Sequence, residues 1–437
     1  MKIERLWMVA WALAMTIVTN VEGQRYSISN FRPYDKNGIN IFETSKMDST
    51  VFEGLKVRVG GNFVQSFQDL RHSNRALPKI VNGSNVNSLV NLSSGFNTAE
   101  ANLNLDVQLA DGVRMNLVSY LSSRHHQETW VKGGYIQFDK LPFLNSAFFD
   151  EVMQYATIKI GHMEINYGDA HFRRSDNGNT LYNPFLENYI LDAYDTEIGG
   201  EINLQHNGYL GVLGITSGEI KGDVIKPPVV AGDNMSRRSP AFYGKLGFDK
   251  NLDQNLRLRI TGSGYYTPSS VSNELYGGDR SGSHYYFVME NQATTSQFYS
   301  GRLQPGFSDK VRSLMGNVFL KYYGLEFFGT LENAKGRSQS EATQRTVNQI
   351  AGDVVYRFGE NENFYVGTRY NTVLAELAGI NNKVRINRIQ VGGGWFPMKN
   401  MLLKGEFVAQ RYKDFPDSNI LAGGKFHGVV MEAVVGF

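Results

Sequence analysis

The stretch Val429-Val430-Met431-Glu432-Ala433-Val434-Val435-Gly436-Phe437 decides how the rest of the chain is read. Val429, Met431, Ala433, Val435 and Phe437 fall on every second position. Successive side chains of a β-strand point to opposite faces. As a strand, this segment has one unbroken apolar face that ends on an aromatic ring. The same period recurs upstream, most cleanly over Ala99–Leu109. One face there reads Ala99, Ala101, Leu103, Leu105, Val107, Leu109, and the other Glu100, Asn102, Asn104, Asp106, Gln108. A helix would spread those carboxylates and leucines around its circumference, whereas a strand separates them. Leu55–Phe67 and Leu256–Tyr266 repeat the theme.

Counting weaker segments, the pattern predicts about sixteen strands. They lie near 55–67, 97–109, 113–124, 130–141, 154–166, 193–206, 208–217, 240–249, 255–266, 311–322, 324–333, 346–358, 363–373, 384–396, 400–412 and 427–437. Connections after even-numbered strands are mostly tight, as at Ala110-Asp111-Gly112, Asn207-Gly208 and Tyr323-Gly324. Gly, Asn and Asp supply the positive φ that such turns require. Connections after odd-numbered strands are often long and polar, as at 68–96, 167–192, 218–239 and 267–310. The exception is 142–153, a longer link on the short side.

Composition narrows the class. The 437 residues carry a formal net charge of +2, so no basic field marks a nucleic-acid binder. Cys is absent, which excludes disulfides, thiolate metal sites and a Cys-linked lipid anchor. With 46 Gly, 23 Tyr and 27 Phe against 11 Pro, the chain suits strands with rings at an interface. Mean hydropathy is −0.32, which fits a barrel whose strands face lipid with only alternate residues. Residues 1–23 read as a signal peptide, with Lys2 and Arg5 ahead of an apolar stretch of about 13 residues, Leu6–Val18, and small residues before Gln24. Residues 24–51 are polar and irregular and read as a periplasmic N-terminal extension; 52–437 form the barrel.

Alternation alone fits a sandwich or a barrel. The leader, the unbroken run of strands and rings near strand ends (Tyr265, Tyr266, Tyr322, Tyr323, Tyr356, Phe358, Trp395, Phe396) favour an all-β transmembrane antiparallel up-and-down barrel. The terminal Phe437 is similar to the recognition signature of the barrel-assembly machinery and is expected to act as the assembly signal. Phe31-Arg32-Pro33-Tyr34-Asp35-Lys36-Asn37-Gly38 and Gly168-Asp169-Ala170-His171-Phe172-Arg173-Arg174-Ser175-Asp176-Asn177-Gly178 resemble outer-membrane porin-like proteins of the Bacteroidota, which are similar to the phosphate-selective porin superfamily. The resemblance implies a sixteen-stranded pore, a homotrimer and an inward-folded third loop. It does not carry phosphate specificity here, because a dense Lys/Arg ladder is missing.

The third long-side connection, Tyr167–Asp192, holds Asp169, His171, Arg173, Arg174, Asp176 and Glu187. It is expected to form a pore constriction, with Arg173 and Arg174 biasing the lumen toward anions; the plainer alternative is an external loop with solvated charges. Lys56, Arg58, Arg257, Arg259, Lys321, Arg357, Arg369, Arg388 and Lys404 fall on inward positions, opposed by Glu100, Asp106, Glu197 and Glu201. Either they set a transverse field or they form local ion pairs. Asp249–Asp253 starts like a calcium loop but has Gln254 and Ile260 where that loop needs Gly and Glu, so a hairpin turn is expected. His125-His126 lack a third ligand, and Gly392-Gly393-Gly394 precede no helix. No metal or cofactor is expected.

These features point to an outer-membrane porin passing small hydrophilic solutes or anions, with lipid, lipopolysaccharide and the assembly machinery as partners. The alternatives are a non-conducting barrel of a secretion or surface-attachment complex, or a barrel hydrolase built on His284 with Ser281 or Ser283, for which no nucleophile motif is present. An active-transport receptor is disfavoured, since about 28 residues ahead of the first strand are too few for a plug domain. N-terminal analysis of the membrane-inserted protein should find Gln24 first, free or cyclised. An intact Met1 there would remove the export argument.

Overall fold

The computed structural model describes residues 28, 30–46, 51–122, 129–175, 179–220, 224, 237–278, 282–291 and 300–437. Residues 1–23, the expected mature start at Gln24, His125-His126, Asp176 and Ser281 lie outside them. Sixteen strands of the described residues close into one antiparallel barrel. They are β1 (Lys56–Ser73), β2 (Gly95–Ala110), β3 (Val113–Ser122), β4 (Trp130–Phe138), β5 (Ala156–Glu164), β6 (Thr196–His206), β7 (Tyr209–Thr216), β8 (Ala241–Asn251), β9 (Leu256–Thr267), β10 (Lys310–Tyr322), β11 (Leu325–Arg337), β12 (Arg345–Phe358), β13 (Phe364–Ala375), β14 (Val384–Met398), β15 (Met401–Lys413) and β16 (Lys425–Gly436). Each pairs with its sequence neighbours, and β1 closes on β16 from Asn62↔Gly436 to Ser73↔Lys425.

The expected order and number of strands hold. The long link between β4 and β5 contains the helix Ala147–Met153. Asp249–Asp253 is a hairpin: Asp253 accepts the amides of Asn255 and Leu256 at 2.7 and 2.8 Å. The β1 strand runs past its expected end at 67. Its outward residues there are Asp69, Arg71 and Ser73, which erase the apolar period while the ladder continues.

The outer wall is apolar. Leu213, Leu246 and Leu331 are 72%, 75% and 60% exposed, which suits contact with lipid rather than water. At the short-turn end, Tyr356, Phe358, Phe364 and Trp395 stack in a row across β12–β14 with centroids 5.9, 5.8 and 6.1 Å apart. That row is an interfacial girdle. Gly394 is required by close packing, because a Cβ there would meet the Tyr365 ring at 2.5 Å.

The interior departs from a uniformly polar lumen. Over much of the wall the inward residues are apolar (Val212, Met315, Val347, Ile386, Val408), and they pack on Leu186 and Ile190 of the third loop and Tyr285, Val288 and Leu303 of the β9–β10 loop. Loops folded inside a barrel exchange water for a dry contact, so both faces of those strands become apolar. Residues 30–46, read from sequence as a separate extension, also enter the lumen. The Lys36 amide donates to the Lys399 carbonyl at 2.7 Å at the short-turn mouth, and Phe42 packs edge-on against Phe172 and Phe319. This segment carries no strand period because its partners are the wall and the loop, not a neighbouring strand.

Phe437 continues the seam: its amide and carbonyl each pair with Gly61 at 3.0 Å, and its ring is 54% exposed on the outer face. Deleting it removes two backbone bonds, about 2 kcal/mol net, from a barrel held by many. The truncated protein should therefore refold into a heat-modifiable form in vitro yet accumulate poorly in the outer membrane. Normal membrane levels would refute its role as an assembly signal.

Candidate functional site

The third loop, residues 165–195 between β5 and β6, lies inside the barrel. A carboxylate placed there needs buried donors, and Asp169 has four: Lys245 at 2.9 Å, two nitrogens of Arg259 at 2.8 Å and the Thr261 hydroxyl at 2.7 Å. Lys245 also donates to the Gly168 carbonyl at 2.6 Å. Further along, Arg369 donates to the Glu187 carbonyl at 2.7 Å, Arg388 to the Asn188 carbonyl at 2.6 Å and Lys404 to the Phe185 carbonyl at 2.9 Å. Backbone groups without intraloop partners must be satisfied somewhere, and here basic side chains of the wall do it. The β8–β15 cations serve largely as clamps.

The other described loop charges are also engaged. His171 contacts Glu164 through Nδ1 at 2.5 Å and Asn166 through Nε2 at 3.1 Å. Arg173 donates to Asn40 at 2.8 Å, lies 3.7 Å from Glu326 and sits over the Phe328 ring. Arg174 pairs with Asp192 at 2.5 Å and covers Tyr194 at 3.8 Å. Glu187, fully buried, accepts from Arg302 at 2.6 Å, Ser283 at 2.9 Å and the His284 amide at 2.5 Å. Burial works to raise its carboxyl, but Arg302, with His284 and Arg388, outweighs that and holds it at about 2. Ser283 is thus spent on Glu187 while His284 Nδ1 contacts Glu432, so the two form no nucleophile–base pair.

The inward wall charges pair locally: Arg58 with Asp106 at 2.7 Å, Lys56 with Glu53 at 2.9 Å, Arg257 with Asp249 at 2.7 Å, Arg357 with Glu326 at 2.8 Å, Arg369 with Asp353 at 2.7 Å, Lys321 with Glu362 at 2.8 Å and Lys404 with Glu432 at 3.3 Å. Glu100 accepts from Thr180, Glu197 from Tyr265 at 2.7 Å and Glu201 from Tyr243 at 2.9 Å. Arg388 is bound instead by Gln410 and the Asn188 and Gly301 carbonyls.

Open space survives on the other side. A chamber of about 210 Å³ lies between the β2–β6 wall, the third loop and residues 30–44. Asn104, Asn116, Tyr135, Gln137 and Asn203 line it together with Arg32, Lys132, Lys159, His162, His171, Glu43 and Glu164. Glu43 turns away to Arg259 and Lys245, at 2.7 and 3.2 Å. Burial raises its carboxyl, yet those two cations prevail and hold it at about 2. Arg32 stacks on Tyr182 at 3.7 Å and donates to the Phe172 carbonyl at 3.0 Å, so the two family-like segments meet here. The Lys159 side chain is 29% exposed and lies 3.7 Å from Glu201. Lys132 lies over the Tyr120 ring at 4.7 Å. Sequence reasoning passed over Arg32, Lys132 and Lys159, although the two lysines fall on the polar face of predicted strands.

No protein-family model matches the sequence, and no curated protein does. Among solved structures, the barrel is similar to an anion-selective porin from Comamonas acidovorans at 10% identity and TM-score 0.51, covering 88% of this chain and 100% of that one. It is also similar to the trimer form of OmpT, an outer membrane protein of Vibrio cholerae, at 9% identity and TM-score 0.51 over the same shares. The chain has the porin fold. With a closed wall, lipid-facing leucines and an aromatic girdle, its place is the bacterial outer membrane.

Asp169→Ala leaves Lys245 and Arg259 buried without this carboxylate, a change of about 3–5 kcal/mol. The loop should loosen while the barrel stays heat-modifiable, and trypsin should cut after Arg173 or Arg174 on the order of 100-fold faster than in the parent. Unchanged protection would mean the clamp does not hold the loop. The Glu187 anchor has a folded value below the ordinary ~4.3. Its contribution is therefore complete above that value and is lost as pH falls through about 2. Tryptic protection of the parent, measured after brief exposure to each pH, should persist to pH ~3; earlier loss would contradict the assignment.

Proposed function

We propose that the protein is a diffusion channel for small hydrophilic solutes, of the Bacteroidota porin-like kind, and that solutes pass along the β2–β6 wall. The chamber beside the clamped third loop is the observation that carries this reading. Asp169, His171, Arg173, Arg174 and Glu187 then act as the scaffold of the constriction, and its field comes mainly from Lys132, Lys159 and Arg32. These cations share the aperture with two carboxylates: Glu43 is drawn aside by Lys245 and Arg259, and Glu164 is engaged by His171. Fixed charges in a narrow, poorly screened site act several-fold more strongly than on an open surface. The preference is for anions. Association as a homotrimer and insertion by the barrel-assembly machinery through Phe437 belong to the same proposal.

The close packing of three segments inside the wall favours a second reading, a barrel of a secretion or attachment complex that conducts little. Planar-bilayer recording of the purified protein separates the two. A porin gives discrete steps and a zero-current potential on the anion side in a KCl gradient. Lys132→Gln with Lys159→Gln should move that potential toward cations, most clearly at low salt, whereas Arg173→Ala with Arg174→Ala should mainly raise current noise. Absence of steps in the parent, or a reversal potential unmoved by the lysine changes, would defeat the proposal.

A further inference from the structure

The outer wall carries a second charged feature, remote from the chamber. At the long-loop ends of β14, β15, β16 and β1, the outward side chains are Arg385, Arg411, Lys413, Lys425, His427 and Arg71, all exposed. The ladder sets cation against cation at Arg385 opposite Lys413 and at Arg411 opposite Lys425, and it places Arg71 opposite the His427 imidazole. Directly opposed residues have Cβ atoms ~5 Å apart, and like charges there are destabilising. Among the described residues, none of these side chains has an ion pair or hydrogen bond. The one carboxylate on this outward face, Asp69, accepts from Ser94 at 2.9 Å. The inward strand charges named above are paired, and on the outward face Arg312 and Lys335 oppose each other across only two strands, β10 and β11; a cluster spread over four strands calls for an external counter-charge.

Its height identifies the source. On β14, Trp395 belongs to the aromatic girdle and Arg385 lies about ten residues along the same outward face, with Ile389 and Val391 between. At ~3.3 Å per residue that is ~33 Å of strand. A tilt of ~40° makes it ~25 Å vertically, the height of a barrel's apolar band. The cluster thus stands at the headgroup level on the long-loop side. Four adjacent strands spaced ~4.8 Å apart spread it over roughly 14 Å, the width of one large headgroup. Arginine forks suit phosphate.

We infer that this patch docks a phosphorylated glycolipid of the outer leaflet. Its phosphates sit over the opposed cations, and its acyl chains lie against the apolar residues below, Phe407, Val429 and Met431.

Native mass spectrometry in neutral detergent, with lipid A as the probe, tests this on the full mature protein. The parent should retain lipid A in a salt-sensitive manner. Arg71→Gln, Arg411→Gln and Lys425→Gln together should weaken retention on the order of a hundredfold, at roughly fivefold per cation, with heat-modifiability unchanged. The charge-preserving pair Arg71→Lys and Arg411→Lys should keep most of it, which also guards against a folding defect in the triple variant. Dephosphorylated lipid A and inorganic phosphate should bind weakly. Retention that is salt-independent, unchanged in the triple variant, or matched by either of those two probes would overturn the inference.

Discussion

A polypeptide loop placed in the middle of a barrel brings peptide groups that cannot pair along a strand, and everything inside this molecule follows from satisfying them. Lys245, Arg369, Arg388 and Lys404 reach inward from four strands and end on loop carbonyls. Each cation covers more than one acceptor, since Lys404 also meets the Thr180 and Asn183 carbonyls. Carboxylates on the wall then balance the clamps, as Asp353 does for Arg369. The basic half of the wall is thereby consumed by structure, which pushes the open chamber to the opposite side.

The fold was legible because period-two alternation survives wherever a strand separates lipid from lumen. Ala99–Leu109 and Val429–Phe437 needed no partner to be read. Legibility failed where a face changed character. The last residues of β1 look like loop because Asp69, Arg71 and Ser73 project above the apolar band, and Val347 or Val408 read as ordinary strand residues although they serve an inner core. The inward position of the third loop was what the family resemblance implied; its rank among the long connections and its charges alone also fitted an external loop.

Which charges would be neutralised was not readable. Asp169 meets Arg259 ninety positions away, and Arg173 meets Asn40 across an even longer interval. Pairing of that range depends on register accumulated over many hairpins, which one sequence does not display. The segment 30–46 carried a different signal, resemblance without periodicity. Its contact with Phe172 explains why two unrelated-looking stretches were both recognisable: they are two sides of one packed junction.

The closure of β1 on β16 has a consequence for how the molecule is made. Every other strand pair joins neighbours in sequence, so its loop-closure entropy is small. The seam joins Asn62 to Gly436, and closing a flexible chain of that length in one step costs ~5 kcal/mol in entropy. Tyr34 lies over Gly60 and against Gly436, astride the same seam. The segment that precedes the first strand therefore gains its full set of contacts only after the last strand has arrived. Zippering hairpin by hairpin divides the entropic barrier into small steps, and it makes the two ends of the chain the final pieces to settle together.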